Sequence, residues 1–167
     1  INLTLHKLDE FLEGEAFDEM IESLTLQAQE ESLNNLKWYM NISLAINAGS
    51  KILRNNFISN SQLDAEILMA KIINKDRNYI LLNANNPLNK NELKNFYRLI
   101  QQRSLGNPVA YLVNKKYFWD SEFYVTGNTL IPRPDTELVV ENALKFTKQK
   151  KKINILDIGI GSGCILL

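Results

Sequence analysis

The sequence predicts an α+β chain: an N-terminal helix bundle, a β-hairpin linker, and the first strand and glycine loop of a parallel-sheet domain. Three observations predict it. Apolar residues recur at helical spacing for about sixty residues after Asn41. Aromatic and β-branched residues then crowd between Tyr111 and Val125 around a polar Asp120-Ser121 pair, which reads as a hairpin. Finally, Ile153 to Ile158 is a nearly continuous apolar run, of the kind buried in a parallel sheet, and a glycine loop follows it at once.

Within the bundle, Leu44, Ala45, Ala48, Ile52 and Leu53 form a first apolar stripe. Ser61 with Asp64 three residues on resembles a capping signal, and Leu63, Ile67, Leu68 and Ile72 supply the next buried stripe. A shorter helix follows Asp76. Asn89 with Glu92 opens the last helix of the bundle, whose buried face holds Leu93, Phe96, Tyr97 and Ile100. Gly106 ends that helix in a left-handed conformation, and Pro108 bars its continuation. The hairpin places Tyr117, Phe118 and Trp119 on one strand and Phe123, Tyr124 and Val125 on the other. Pro132 and Pro134 then fix φ on either side of Arg133, Asp135 caps a helix, and Leu138, Val139, Ala143 and Phe146 give that helix a buried face. The lysine run Lys150 to Lys152 ends it.

Composition sets limits on function. Of 167 residues, 45% are hydrophobic and 23% charged, which suits one domain or two small ones. One cysteine and one histidine exclude an internal disulfide and a Cys/His zinc site, and a reducing cytoplasmic setting is expected. The stretch Ile153 to Leu167 is too short to cross a bilayer, which takes about 20 apolar residues. No secretory signal and no internal repeat are visible. The net charge of zero hides two unlike pieces: residues 1–39 hold nine acids against two bases, and the remainder is positive by seven. Before that switch, Ile1, Leu3 and Leu5 alternate as in a short strand, and a helical pattern runs from Asp18. His6 reads as a surface or packed residue.

The sharpest chemical signal is Asp157-Ile158-Gly159-Ile160-Gly161-Ser162-Gly163. Glycines here permit a tight turn and a close backbone approach to a ligand at the start of the next helix. A dinucleotide fingerprint wants glycine or alanine where Cys164 stands, and the third glycine comes one place early. The spacing fits the S-adenosylmethionine loop of class I methyltransferases better; a plain glycine-rich turn is the alternative. The segment Asn128 to Glu141, with Ile131-Pro132-Arg133-Pro134-Asp135-Thr136-Glu137 at its centre, resembles the signature of the HemK/PrmC family of protein-(glutamine-N5) methyltransferases. The resemblance continues through Asp64 to Leu68, Gly106 to Leu112 and Tyr117-Phe118-Trp119, and covers about residue 40 onward.

What that resemblance implies is specific. S-adenosyl-L-methionine is the expected cofactor, with Gly159, Ile160, Gly161, Ser162 and Gly163 as contacts in a class I, Rossmann-like domain, and Arg133 facing its carboxylate. Surface pairing of Arg133 with Asp135 or Glu137 is the alternative. Asp157 is expected to hold the glycine turn, and Cys164 to be a small residue at a helix start. The protein partner is a peptide chain release factor, with ribosome proximity possible. The implied domains are an acidic piece over 1–39, a helical recognition domain over 40–107, a hairpin linker over 108–127 and the start of the cofactor domain over 128–167.

Ile1 to Gly14 resembles the C-terminal end of a bacterial class I release factor, the family's own substrate, but without the methylated Gly-Gly-Gln loop. Joined reading frames meeting at Met40 are expected, with a substrate–enzyme fusion as the alternative. The family's catalytic Asn-Pro-Pro-Tyr motif does not occur in this sequence, so this chain by itself is expected to be inactive. Two other functions compete: a non-catalytic recognition fragment in translation termination, and a methyltransferase acting on nucleic-acid base amines. Lys90, Lys94, Arg98 and Arg103 lie along one helix as candidates for RNA contact.

Overall fold

The computed structural model describes residues 40–148 and 152–166. The strand and helix expected before Met40, His6, the release-factor-like piece and most of the lysine run lie outside the described residues. Two compact units divide the chain between Val109 and Ala110.

The first unit is a helix bundle. Helix α1 (Ile42–Asn55) starts where the Asn41 side chain accepts from the Leu44 amide at 2.8 Å. Helix α2 (Ser61–Ile73) closes on Asn74 in a left-handed conformation. The short α3 (Arg77–Leu82) is capped by Asp76, which accepts from the Tyr79 amide at 2.7 Å. Helix α4 (Lys90–Ser104) has the predicted capping box: Asn89 and Glu92 each accept from the other's amide, both at 2.9 Å. Its face of Leu93, Phe96, Tyr97 and Ile100 is buried, as the spacing requires, and Gly106 follows at φ 93°.

Two expectations fail within this bundle. The buried face of α1 is Ile42, Ala45, Ile46, Gly49, Ser50 and Leu53, whereas Leu44 is exposed. The cause is Gly49: a Cβ there would stand 2.8 Å from the Phe96 ring and 3.0 Å from Ile100, so the bare turn lets these α4 side chains pack directly on this face. Ser61 does not cap α2 either. The helix already includes it, its hydroxyl turns inward to Ser50 at 3.5 Å, and the backbone carbonyl of Asn60 receives the Asp64 amide. Asp64 instead pairs with Arg103 at 2.7 Å, which ties α2 to α4. Leu63 is exposed, and Leu68 and Met69 supply the burial.

The second unit centres on a hairpin. Helix α5 (Val109–Val113) runs into β1 (Lys115–Phe118), which pairs antiparallel with β2 (Ser121–Tyr124). Phe118 faces Ser121 across the ladder, so the two-residue loop is Trp119-Asp120, one place earlier than expected. Trp119 takes φ 53°, and the Glu137 carboxylate accepts from its amide at 3.0 Å, which stabilises the shifted turn. Phe118, Phe123 and Val125 form a small core against which Ala110, Tyr111, Val140 and Cys164 pack.

A 3-10 turn (Pro134–Thr136) leads into α6 (Glu137–Thr147). Asp135 makes no side-chain cap there, because the chain turns through the 3-10 segment before the helix begins. The expected buried face of α6 is not buried: Leu138, Val139 and Phe146 are exposed, since the three-residue hairpin core reaches only Val140. Likewise Ile153 to Ile158 is not a strand, and Leu156 and Ile158 are 84% and 88% exposed. A strand needs a hydrogen-bonding neighbour, and among the described residues the only sheet is the hairpin.

Candidate cofactor-binding site

The glycine loop is shaped by its own backbone. Gly159, Gly161 and Gly163 adopt φ of 87°, 54° and 78°, the left-handed region in which a side chain is strained. Two successive turns follow, with the Gly163 amide donating to the Ile160 carbonyl at 2.8 Å and the Leu166 amide to the Gly163 carbonyl at 3.1 Å. Nothing approaches Gly159 or Gly163 on the side where a Cβ would stand, so glycine is required there by conformation and leaves an open backbone surface. Cys164 packs against the hairpin core, which anchors the far end of the loop.

The other expected participants are placed less simply. Arg133 is exposed in extended backbone, its carbonyl accepting from Thr136 at 3.0 Å, and it forms no ion pair with Asp135 or Glu137. Pro132 beside it is buried. Among the described residues no hydrogen bond or ion pair joins the Pro132–Glu137 segment to the glycine loop. Asp157 does not hold the turn as expected: its Oδ2 is buried with no hydrogen-bond partner among the described residues. A buried carboxylate oxygen without a donor is costly, and it fits a ligand that brings one. Bare left-handed glycines and a carboxylate oxygen without a donor therefore suit a ligand with amino or hydroxyl donors.

Residue types alone did not reveal two long-range ties. Arg103 bonds both Asp64, at 2.7 Å, and the Asn107 carbonyl, at 3.2 Å, so one guanidinium fixes the end of α4 and the loop after it. The Tyr111 hydroxyl donates to the Thr129 carbonyl at 2.8 Å and pins the approach to the Ile131–Glu137 segment. Partners 39 and 18 positions apart leave no local spacing to read. The α4 bases are committed as well, since Lys90, Lys94 and Arg98 each have an interaction partner. A concavity of about 640 Å³ at the α1–α2 turn, lined by Arg54, Phe57 and Leu63 among others, includes none of the expected site residues.

Residues 45–113 match the family model described as the PrmC N-terminal domain. The chain is 41% identical to a release factor glutamine methyltransferase of Buchnera aphidicola subsp. Baizongia pistaciae, over 65% of this chain and 39% of that protein. Over its helix bundle the chain belongs to the HemK/PrmC family. A protein of the same name from Leptospira interrogans is 43% identical over 69% of this chain and 41% of its own length. One from Buchnera aphidicola subsp. Schizaphis graminum aligns over 128 residues at 38% identity, more than the bundle contains, so the likeness extends into the second unit. The chain spans about two fifths of the length of these relatives. No helix among the described residues is long and apolar enough to cross a membrane.

Proposed function

We propose that this chain is the substrate-recognition domain, hairpin linker and cofactor loop of a methyltransferase that moves a methyl group from S-adenosylmethionine to a glutamine side-chain amide in peptide chain release factors. The carrying observation is the open run of left-handed glycines, Gly159 to Gly163, in a chain about 40% identical to proteins named for that activity. In this reading the loop starts a Rossmann-like domain, and Gly159, Ile160, Gly161, Ser162 and Gly163 hold the cofactor. Arg133, exposed and free of Asp135 and Glu137, faces the cofactor's carboxylate. Asp157 takes a donor from the same ligand.

The bound cofactor would supply an electrophilic methyl group on a positively charged sulfur. An amide nitrogen is a poor nucleophile, so what protein residues contribute is alignment and acceptors for the amide hydrogens rather than a covalent intermediate. This chain's share is the first half of that alignment: an ordered loop, and a bundle that presents the release factor. With no Asn-Pro-Pro-Tyr motif in its sequence, it is expected to bind without transferring methyl groups. Incubating purified chain, a class I release factor and radiolabelled S-adenosylmethionine tests the last point, and label on the release factor would contradict it. Titration calorimetry with the release factor tests recognition. Saturable binding is expected, and no heat at 100 μM factor would remove the release factor as partner.

A further inference from the structure

Arg133 sits at the middle of a segment that the hairpin unit holds at both ends. Four residues before it, the Thr129 carbonyl accepts from the Tyr111 hydroxyl at 2.8 Å, and four residues after it, the Glu137 carboxylate accepts from the Trp119 amide at 3.0 Å. Both donors belong to the hairpin: Tyr111 packs against its core of Phe118, Phe123 and Val125, and Trp119 lies in its loop. Between the two ties the backbone has little freedom. Pro132 and Pro134 fix their own φ and disfavour helical conformation in the residue before each, and Arg133 is extended at φ −102° and ψ 145°. Pro132 is buried and the Arg133 carbonyl accepts from the Thr136 amide at 3.0 Å, which leaves the arginine side chain exposed on a fixed backbone.

Glu137 stands close enough in sequence to neutralise Arg133. Its carboxylate is turned instead to a backbone amide of the hairpin loop, and the guanidinium makes no ion pair among the described residues. An unneutralised guanidinium in a set position, with the nearby acid engaged elsewhere, suits bidentate capture of a ligand's carboxylate. We propose that Tyr111 and Glu137 are positioning residues for Arg133: the hydroxyl and the carboxylate fix the segment, and Arg133 itself meets the carboxylate of the ligand. The identity of that ligand as S-adenosylmethionine rests on the function proposed above; the two-ended hold on Arg133 does not.

The hold is tested without ligand by nitrogen-15 relaxation of the full chain at the Ile131 and Arg133 amides. Order parameters of about 0.85 are expected there, falling below about 0.6 in Tyr111→Phe, which removes one oxygen, and in Glu137→Ala, with the Phe118 and Phe123 amides unmoved. Glu137→Gln keeps an acceptor oxygen and is expected to restore the order. Amides at 131 and 133 that are already mobile in the wild-type chain, or that stay rigid in both variants, would overturn the proposal. The consequence for Arg133 is read by titrating S-adenosylhomocysteine, which carries the cofactor's carboxylate, and 5′-methylthioadenosine, which lacks it. Tyr111→Phe and Glu137→Ala are expected to weaken the first about tenfold, as weakening of a charge-assisted hydrogen bond does, and to leave the second unchanged. In an Arg133→Ala background neither is expected to weaken it further, since both act through that side chain. Equal losses on both ligands, or losses that add in full to that of Arg133→Ala, would mean a structural role only and would overturn the proposal. A wild-type chain that binds neither ligand would instead overturn the cofactor reading, and relaxation at Arg133 would then decide the positioning roles by itself.

Discussion

Asp64 and Arg103 show how single residues in this chain carry long-range order. Both side chains are largely buried, at 10% and 19% exposure, and Arg103 also holds the Asn107 carbonyl. Removing one partner leaves a charge stranded, so Asp64→Leu is expected to cost about 3 kcal/mol, and the Asp64→Leu/Arg103→Leu double variant to recover much of it. Urea unfolding of the two variants decides the matter; equal losses would mean the pair acts only through packing. Gly49 is a second such residue. Alanine there gains helix propensity of about 1 kcal/mol but drives a methyl against Phe96 and Ile100, so a net loss of about 1–2 kcal/mol is expected, relieved by Phe96→Leu. Thermal melts of the single and double variants check it.

Among the elements, the hairpin has an electrostatic signature of its own. Lys115 bonds Glu122 at 2.9 Å, and Glu122 stands opposite Tyr117 in the ladder. Hydrogen bonds from Lys115 and then Tyr117 hold the Glu122 carboxyl below the usual carboxylate range, and Glu122 in turn raises Lys115. A lowered carboxyl stabilises the hairpin above its unfolded value, and that support is lost as pH falls through the folded one. The raised ammonium acts in mirror image, its support lost as pH climbs past the lysine range. The hairpin is therefore expected to be most ordered between those limits, and Glu122→Gln to flatten the acid limb. Proton NMR of Tyr117 against pH measures both.

Legibility differed between elements for physical reasons. Helix α4 was readable because its cap and its buried face are both local patterns, Asn89 with Glu92 and Leu93 through Ile100. The buried face of α1 departs from its apolar stripe because the deciding contact, Gly49 on Phe96, joins residues far apart in sequence. The hairpin loop slipped one place since a tryptophan at positive φ runs against turn propensity and depends on Glu137, eighteen residues on. The bend of the glycine loop was readable from residue types, because glycine takes the left-handed φ seen at Gly159, Gly161 and Gly163 without the strain that a side chain adds. The unpaired Asp157 was not legible, since an absent donor leaves no mark on a sequence.

For the whole molecule, the two units differ in what holds them. The bundle buries Leu53, Leu68, Met69, Ile80, Phe96, Tyr97 and Ile100, whereas the second unit is organised around Phe118, Phe123 and Val125 and leaves Leu138, Phe146, Leu156 and Ile158 in solvent. Apolar burial of a side chain is worth about 1.5–3 kcal/mol, so the second unit is expected to open at lower denaturant than the first. Trp119 emission should change before the helical signal at 222 nm in a Trp38→Phe background, and coincident transitions would show one cooperative body. The exposed apolar face of α6 and the unpaired Ile153–Ile158 segment show why the parallel-sheet strand, plain in the sequence, does not form here: the pattern describes a residue's preference, and a sheet also needs neighbours.

If the loop from Gly159 to Gly163 is an S-adenosylmethionine site rather than a dinucleotide site or a plain turn, its amides respond to that ligand alone. Amide-resolved NMR of the full chain with millimolar S-adenosylmethionine, and separately with NAD, tests it most directly. Shifts are expected at Gly159, Gly161 and Gly163 and at Arg133 with S-adenosylmethionine, weakened by Arg133→Ala, and none with NAD. Shifts with NAD alone, or an unmoved loop with both ligands, would contradict it.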